Sequence, residues 1–331
     1  MRPRGLGGMT NPGGEQASGR RPAWRAFNAI DWLNIGYFAY LSLAIALRFE
    51  RVPHAGWLLV AHAVYLGGMI VLALSTRRNS STLLRFVRCF YQLFFITPIY
   101  RETEYLMRLY HDRWYDVLVV DFERWAFGLD LPLVLERIAT PPLTELMKAF
   151  YASYFIIVPL VPLYLWVKGR HKAFYYTLFA GTAALYLCYV GFTVFPVQGP
   201  RYFLGAVPLD RAFPIPLEPN ALGLAFQKPV LEGYLVTRLV DAIMHGADAT
   251  GACIPSAHVA MSVVVLGVSA RYLPRVYPIA FVVVSGIIAA TVYNRYHYAV
   301  DAVTGILVGV VVLGVADRLF RRPGYEAYIR I

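Results

Sequence analysis

The chain has 331 residues, 58% of them hydrophobic and only 15% charged, with a formal net charge of +11 and a mean hydropathy of +0.51. A soluble domain carries about a quarter charged residues, so an ordinary soluble fold is excluded. The apolar runs do not alternate, as β-barrel strands of roughly ten residues would, so the class is a polytopic α-helical membrane protein.

In chain order, residues 1–25 hold Gly, Pro and Arg without an apolar run. They read as a disordered basic tail and not as a cleaved signal peptide. A spanning helix needs about 20 apolar residues, in a range of about 17–25. Apolar segments lie at 28–48, 55–75, 83–100, 146–167, 173–194, 257–271, 276–293 and 298–318. The third carries Arg85 and Arg88 near one end and Pro98 near the other, so its spanning status is the weakest. The expectation is an all-α membrane bundle of about six to eight transmembrane helices.

With the N-terminus inside, the connections on that side hold 18 of the 31 basic residues and 4 of the 20 acidic ones. That bias marks a cytoplasmic face and accounts for the net charge, leaving nothing to indicate a nucleic-acid partner. Both termini are then cytoplasmic in an integral protein, with the plasma membrane as the expected location. The long connections 101–145 and 195–256 lie outside. The first contains "YHDRWYDVLVVDFERWAFGLDLPLVLERI", read as amphipathic helices at the interface. The acids of 101–124, including Glu102, Glu104 and Asp112, are expected on a solvated face, with contact to a polyol head group as the alternative. The second is a Pro- and Gly-rich loop followed by a short surface helix that ends at Gly246. Cys89, Cys188 and Cys253 lack metal-ligand spacing, and Cys89 and Cys188 lie in apolar runs, as buried free thiols do. His54, His62, His111, His171 and His245 read as solvated interfacial residues.

The sixth segment opens with "GACIPSAHVAMS", where Ser256 is a plausible helix cap and His258 lies in the first turn. Free N–H groups and the helix dipole favour an anion there. The chain runs inward through 257–271 and returns through 276–293, legs of about 22 and 27 Å at 1.5 Å per residue. This hairpin brings "YNRYHYAVD" back to His258. His297 and Asp301, at i and i+4 on the start of the eighth helix, share one face. The carboxylate can hold one imidazole nitrogen and leave the other free to attack. A second His to protonate a leaving oxygen completes the parts for phosphoryl transfer. Arg201, in "FPVQGPRY" on the same face, offers a bidentate fork to phosphate. Ser256 is a further candidate phosphate ligand. Arg295 fits either a phosphate ligand or a head-group anchor. His258, His297 and Asp301 also have metal-ligand types, but attack by a His–Asp pair needs no metal. A transporter with a His/Asp proton relay would need ionisable residues in mid-segment, whereas here they cluster at one face.

"PSAH" followed by "YNRYHYAVD" resembles the type 2 phosphatidic acid phosphatase superfamily, over about 190–320 and best at 254–305. The resemblance implies that His297 becomes phosphohistidine, Asp301 orients it, His258 is the general acid and Arg201 grips phosphate. The family's upstream Lys has no clear counterpart. Ala257 replaces the Gly of the first motif, and Thr291 stands six before His297, where the phosphatases have Arg. "TVYNRYHYAVD" is instead similar to the inositol phosphorylceramide synthase-like branch, and "AFYASYFIIVPLVPLYL" adds a weaker likeness to it. Residues 26–325 are then one membrane-embedded phosphatase or phosphotransferase domain, with its catalytic core at 190–320. The implied activity is head-group phosphotransfer at the extracytoplasmic face, with lipid phosphate hydrolysis as the alternative. The implied partners are a membrane lipid and a polar or water acceptor, with no cofactor and no protein partner evident.

Overall fold

A computed structural model of the chain describes residues 26–78, 81–205, 216–228, 230–247, 249 and 251–322. The basic tail assigned to residues 1–25 lies outside them, as does the side chain of His245. The fold is all-helical. Its helices are α1 (Ala29–Leu47), α2 (Ala55–Arg78), α3 (Thr82–Leu106), α4 (Asp116–Phe127), α5 (Leu131–Arg137) and α6 (Pro141–Val167). They continue with α7 (His171–Val194), α8 (Pro200–Phe203), α9 (Leu235–Ala247), α10 (Ala257–Tyr272), α11 (Tyr277–Tyr293) and α12 (Ala299–Phe320). A single 3₁₀ turn, Phe49–Arg51, joins α1 to α2. Among the described residues there is no strand, only one parallel bridge between Val197 and Ala252.

Each of the eight apolar segments is a helix. Five helices (α1, α2, α6, α7 and α12) are long and apolar enough to span a bilayer, and α10 and α11 are shorter apolar helices. The protein is therefore an integral membrane protein. Unlike those five, α3 is long but polar on its inward side, burying Arg88, Gln92, Thr103 and Glu104.

α7 is buried on nearly every side, as a helix apolar all round must be. It packs against α10, α12, α6, α3 and α1. Thus α7 joins an N-terminal group, α1–α3, to the group α6 and α10–α12 that carries the "PSAH" and "YNRYHYAVD" motifs. Within the second group, α12 presents Gly305 and Gly309 to α10. A Cβ added at Gly305 would lie 2.6 Å from the Ser256 carbonyl oxygen, and one at Gly309 2.7 Å from Val263 Cβ. Small residues four apart let helix backbones approach in a membrane, where packing drives association.

The N-terminal group is held by polar contacts. Asp31 reaches back to the Asn28 N–H in a capping box and also takes both arms of the Arg88 guanidinium, at full burial. Asn34 Nδ2 donates to Tyr91 Oη (2.9 Å) and Gln92 Oε1 (3.0 Å), while Tyr91 Oη donates to Asp31 (2.9 Å). His62 corrects its solvated reading. It is 2% exposed, with Nδ1 2.8 Å from Ser42 Oγ and Nε2 2.6 Å from Glu102 Oε1. Glu104 is also buried, and among the three acids it is Asp112 that is solvated, pairing with Arg51 at 3.1 Å. All three cysteines are free and buried.

Candidate active site

Two short sequences build the two sides of the site. In "IPSAH", Ser256 has extended backbone and its Oγ accepts from the Val259 N–H at 3.3 Å, which starts α10 and puts His258 in its first turn. The Ser256 N–H donates to the Asp301 carbonyl at 2.9 Å, tying the start of α10 to the start of α12. In "NRYHY", α11 ends at Tyr293 and Arg295 adopts φ 65°, a left-handed conformation that reverses the chain. The N–H groups of Tyr296 and His297 then both donate to the Thr291 carbonyl at 3.1 Å. Tyr298 caps α12, and its N–H donates to Asp301 Oδ2 at 2.9 Å. His297 therefore precedes α12 and does not lie on it, a correction to the sequence reading. The i,i+4 contact survives because the cap folds back: His297 Nδ1 lies 3.3 Å from Asp301 Oδ2. Asp301 is fully buried, and its Oδ1 has no hydrogen-bond partner among the described residues.

The two histidines meet as the matched hairpin requires, with ring centroids 6.0 Å apart. Tyr151 Oη sits 3.1 Å from His258 Nε2 and fixes that ring from α6. Arg201 comes from α8, a single turn that follows Gly199 at φ 89°. The Val197–Ala252 bridge holds this segment beside the one leading to His258. The Arg201 guanidinium lies 4.8 Å from the centre of the Tyr296 ring. Arg201, His258 and His297 line one small pocket of about 30 Å³, together with Tyr100, Tyr151 and Tyr296.

The other sequence candidates sit elsewhere. Ser256 is fully buried, with its hydroxyl engaged in the helix cap. Arg295 does not line the pocket. Its guanidinium donates to Glu136 Oε1 (3.1 Å) and to the Lys228 carbonyl (2.5 Å), and lies 3.8 Å from the centre of the Phe226 ring. Burial lowers the Arg295 pKa, and Glu136 opposes that shift. Asp301 acts on the pocket through His297.

Several participants were not evident in the sequence. Lys148, from α6, donates to Tyr296 Oη at 3.0 Å and pairs with Asp241 of α9. Its ammonium and the Arg201 guanidinium both lie against the Tyr296 ring. The connection expected to lie at the interface supplies buried acids. The inward face of α4 is Asp116, Val119, Val120 and Glu123, while Leu118, Phe122 and Trp125 face outward. Asp116 accepts from the N–H groups of Gln198 (2.8 Å) and Gly199 (2.9 Å) and from Tyr298 Oη (3.1 Å). Glu123 accepts from the Val300 N–H (3.0 Å), and Glu136 from those of Gln227 (3.1 Å) and Lys228 (2.7 Å). Burial pushes the carboxyl groups of Asp116 and Glu123 up to about 7 against the pull of these donors. The legible signal was the spacing i, i+3, i+4, i+7, which puts Asp116 and Glu123 on the same stripe as the two valines.

A metal site on His258, His297 and Asp301 is not the grouping the structure makes. Among the described residues, the donor atoms that lie within 4.8 Å of one another are those of Cys253, His297 and Asp301. Thiolate, imidazole and carboxylate together suit zinc, so chelation is a meaningful test of this pocket.

The PAP2 superfamily matches residues 118–315, about three fifths of the chain. No curated protein and no solved structure matches it. The matched region runs from α4 to α12 and carries the His258, His297 and Arg201 segments alike. The chain thus belongs to the PAP2 superfamily, membership that points to a phosphatase or phosphotransferase of lipid phosphates.

Proposed function

We propose that the protein transfers a phosphate-bearing head group between a membrane lipid and an alcohol acceptor, in the manner of an inositolphosphotransferase. The observation that carries this reading is the convergence of Arg201, His258 and His297 on one small pocket, with Asp301 behind His297. Asp301 holds the proton on Nδ1, so the Nε2 lone pair of His297 attacks phosphorus and the phosphorus–oxygen bond to the leaving group breaks. The leaving oxygen takes its proton from His258. The second step reverses these roles. His258 takes the acceptor's proton, and the acceptor oxygen displaces His297 from phosphorus. Arg201 answers the charge on the phosphoryl oxygens, and water as acceptor would make the same steps a hydrolysis. Thr291 and Ala257, which depart from the phosphatase pattern, support transfer over hydrolysis. The basic residues on the opposite side of the chain support an extracytoplasmic site and cytoplasmic termini.

The test is incubation of the purified full chain with phosphate-labelled lipids, with and without inositol. A labelled product that forms only when the alcohol is added and contains that alcohol supports transfer, and a labelled water-soluble phosphate formed without it supports hydrolysis. Acid-labile, base-stable label on the wild type that is absent from His297→Ala identifies the nucleophile. Wild-type turnover by His297→Ala would sink the scheme.

A further inference from the structure

Asp116 opens α4 and is 1% exposed. Its three donors come from two segments that each carry a pocket residue, Arg201 on one and His297 on the other. Oδ2 accepts from the Gln198 N–H, and Oδ1 accepts from the Gly199 N–H and from Tyr298 Oη. Gly199 caps the single turn that carries Arg201 two residues later. Tyr298 follows His297 directly and caps α12. A carboxyl oxygen accepts directional hydrogen bonds from such donors. The two segments are far apart in the chain, and this one carboxyl group measures the distance between them.

We propose that Asp116 is a positioning residue. By tying the Gln198–Gly199 amides to the Tyr298 hydroxyl, it fixes the separation of Arg201 from His297, and so the fit of the pocket to a tetrahedral phosphoryl group. The proposal rests on the phosphate-pocket reading above. Asp116 does not line the pocket and acts through the residues it holds. Glu123, on the same face of α4, accepts from the Val300 N–H in the first turn of α12, whereas Asp116 holds both segments, behind the contact of Arg201 with the Tyr296 ring.

The probe is orthovanadate, a phosphate-shaped anion that needs no knowledge of the lipid. It is titrated into the full-length protein in detergent and followed by the ⁵¹V signal of its five-coordinate form. Wild-type protein should bind it, and His297→Ala should lose the five-coordinate signal. Asp116→Asn puts an amide against donors that need an acceptor, and Tyr298→Phe breaks one link while keeping the carboxylate and both amide bonds. Both should weaken vanadate by about 10- to 100-fold, the scale on which angstrom misplacement of reacting groups acts. The double variant should be no weaker than Asp116→Asn alone, because both cut the same tether. Melting temperature is read alongside. Should Asp116→Asn fail to fold, Tyr298→Phe still decides. Vanadate affinity within twofold of wild type in the folded variants overturns the role of Asp116, even if their melting temperatures fall. Wild-type protein that takes up no vanadate, or His297→Ala that keeps the five-coordinate signal, overturns the phosphate-pocket reading and this proposal with it.

Discussion

Replacing Gly305 by alanine tests whether the spacing of α10 and α12 sets the reaction geometry. The new Cβ would lie 2.6 Å from the Ser256 carbonyl oxygen and 3.0 Å from Val259 Cβ. Ordinary contact begins at 3.4 Å, so the two helices must part by about 0.8 Å along that line. The atom in the way is backbone, and it accepts the Ala260 N–H at 2.9 Å, so the whole first turn of α10 has to move. That turn carries His258. Overpacking costs about 1–3 kcal/mol, and alanine recovers about 1 kcal/mol of helix propensity, leaving a net loss of about 0–2 kcal/mol. A shift near 1 Å in a catalytic group can cost about 100-fold in rate. Gly305→Ala should therefore fold and melt close to wild type while turning over its lipid about 10- to 100-fold more slowly. The control is Gly314→Ala on the same helix, where an added Cβ meets nothing within 4 Å. The assay is turnover, in mixed micelles, of whichever labelled lipid the wild type uses, with thermal unfolding of each variant. Equal turnover by wild type, Gly305→Ala and Gly314→Ala would refute the link between helix spacing and catalysis.

Asp301→Asn should keep the fold, being isosteric, and lose up to about 10⁴-fold in rate, because Oδ2 faces both the Tyr298 N–H and His297 Nδ1: the amide either turns its NH2 there and holds the wrong tautomer, or keeps an oxygen there without the negative charge that steadies the imidazolium. Circular dichroism and single-turnover kinetics separate the two effects, and an unchanged rate would leave Asp301 a purely structural part. Arg295→Ala should destabilise the protein by about 3–5 kcal/mol, since it leaves Glu136 buried without its cation, and should leave vanadate affinity intact in the folded fraction. Denaturation and vanadate titration check both halves. The Asp116 carboxyl is raised from 3.8 to about 7 by burial, with Asp301 adding to the rise and Gln198, Gly199 and Tyr298 opposing it. The folded state thus holds a proton that the unfolded state has released. The resulting stability is present below pH 3.8 and is lost as pH rises through about 7. Melting temperatures from pH 5 to 8 should fall less steeply in Asp116→Asn than in wild type, and parallel slopes would contradict this. Turnover should survive EDTA; loss that Zn²⁺ restores, but not in Cys253→Ser, would place a metal on Cys253, His297 and Asp301.

Much of this architecture is legible in the sequence because lipid leaves few options for the backbone. All eight apolar runs are helices, and the near-equal lengths of 257–271 and 276–293 suffice to bring His258 beside His297. Hydropathy misleads where a polar group is buried against another polar group. Glu102 and His62 look like interfacial residues until α2 and α3 are seen to face each other across that pair. Asp116, Glu123 and Glu136 look solvated because most of their donors are backbone N–H groups of distant loops and of the first turn of α12, which leave no pattern in composition. Arg295 sits two residues before His297 and invites a role in binding phosphate. Its positive φ turns its side chain toward Glu136, an outcome that depends on a residue 159 positions away.

The Asp31–Arg88 pair bears on how the chain enters the bilayer. An unpaired Arg or Asp at the centre of an inserting helix costs about 2.5–3.5 kcal/mol, and less toward its ends. α3 is not apolar enough to count among the spanning helices, and Arg88 stands near its start. Its partner Asp31 belongs to α1, which leaves the ribosome more than fifty residues earlier. With α1 already made, Arg88 has a carboxylate to meet as α3 follows it, and the pair spares both helices the cost of a lone charge. Seating α3 without Asp31 would leave that guanidinium buried and unpaired.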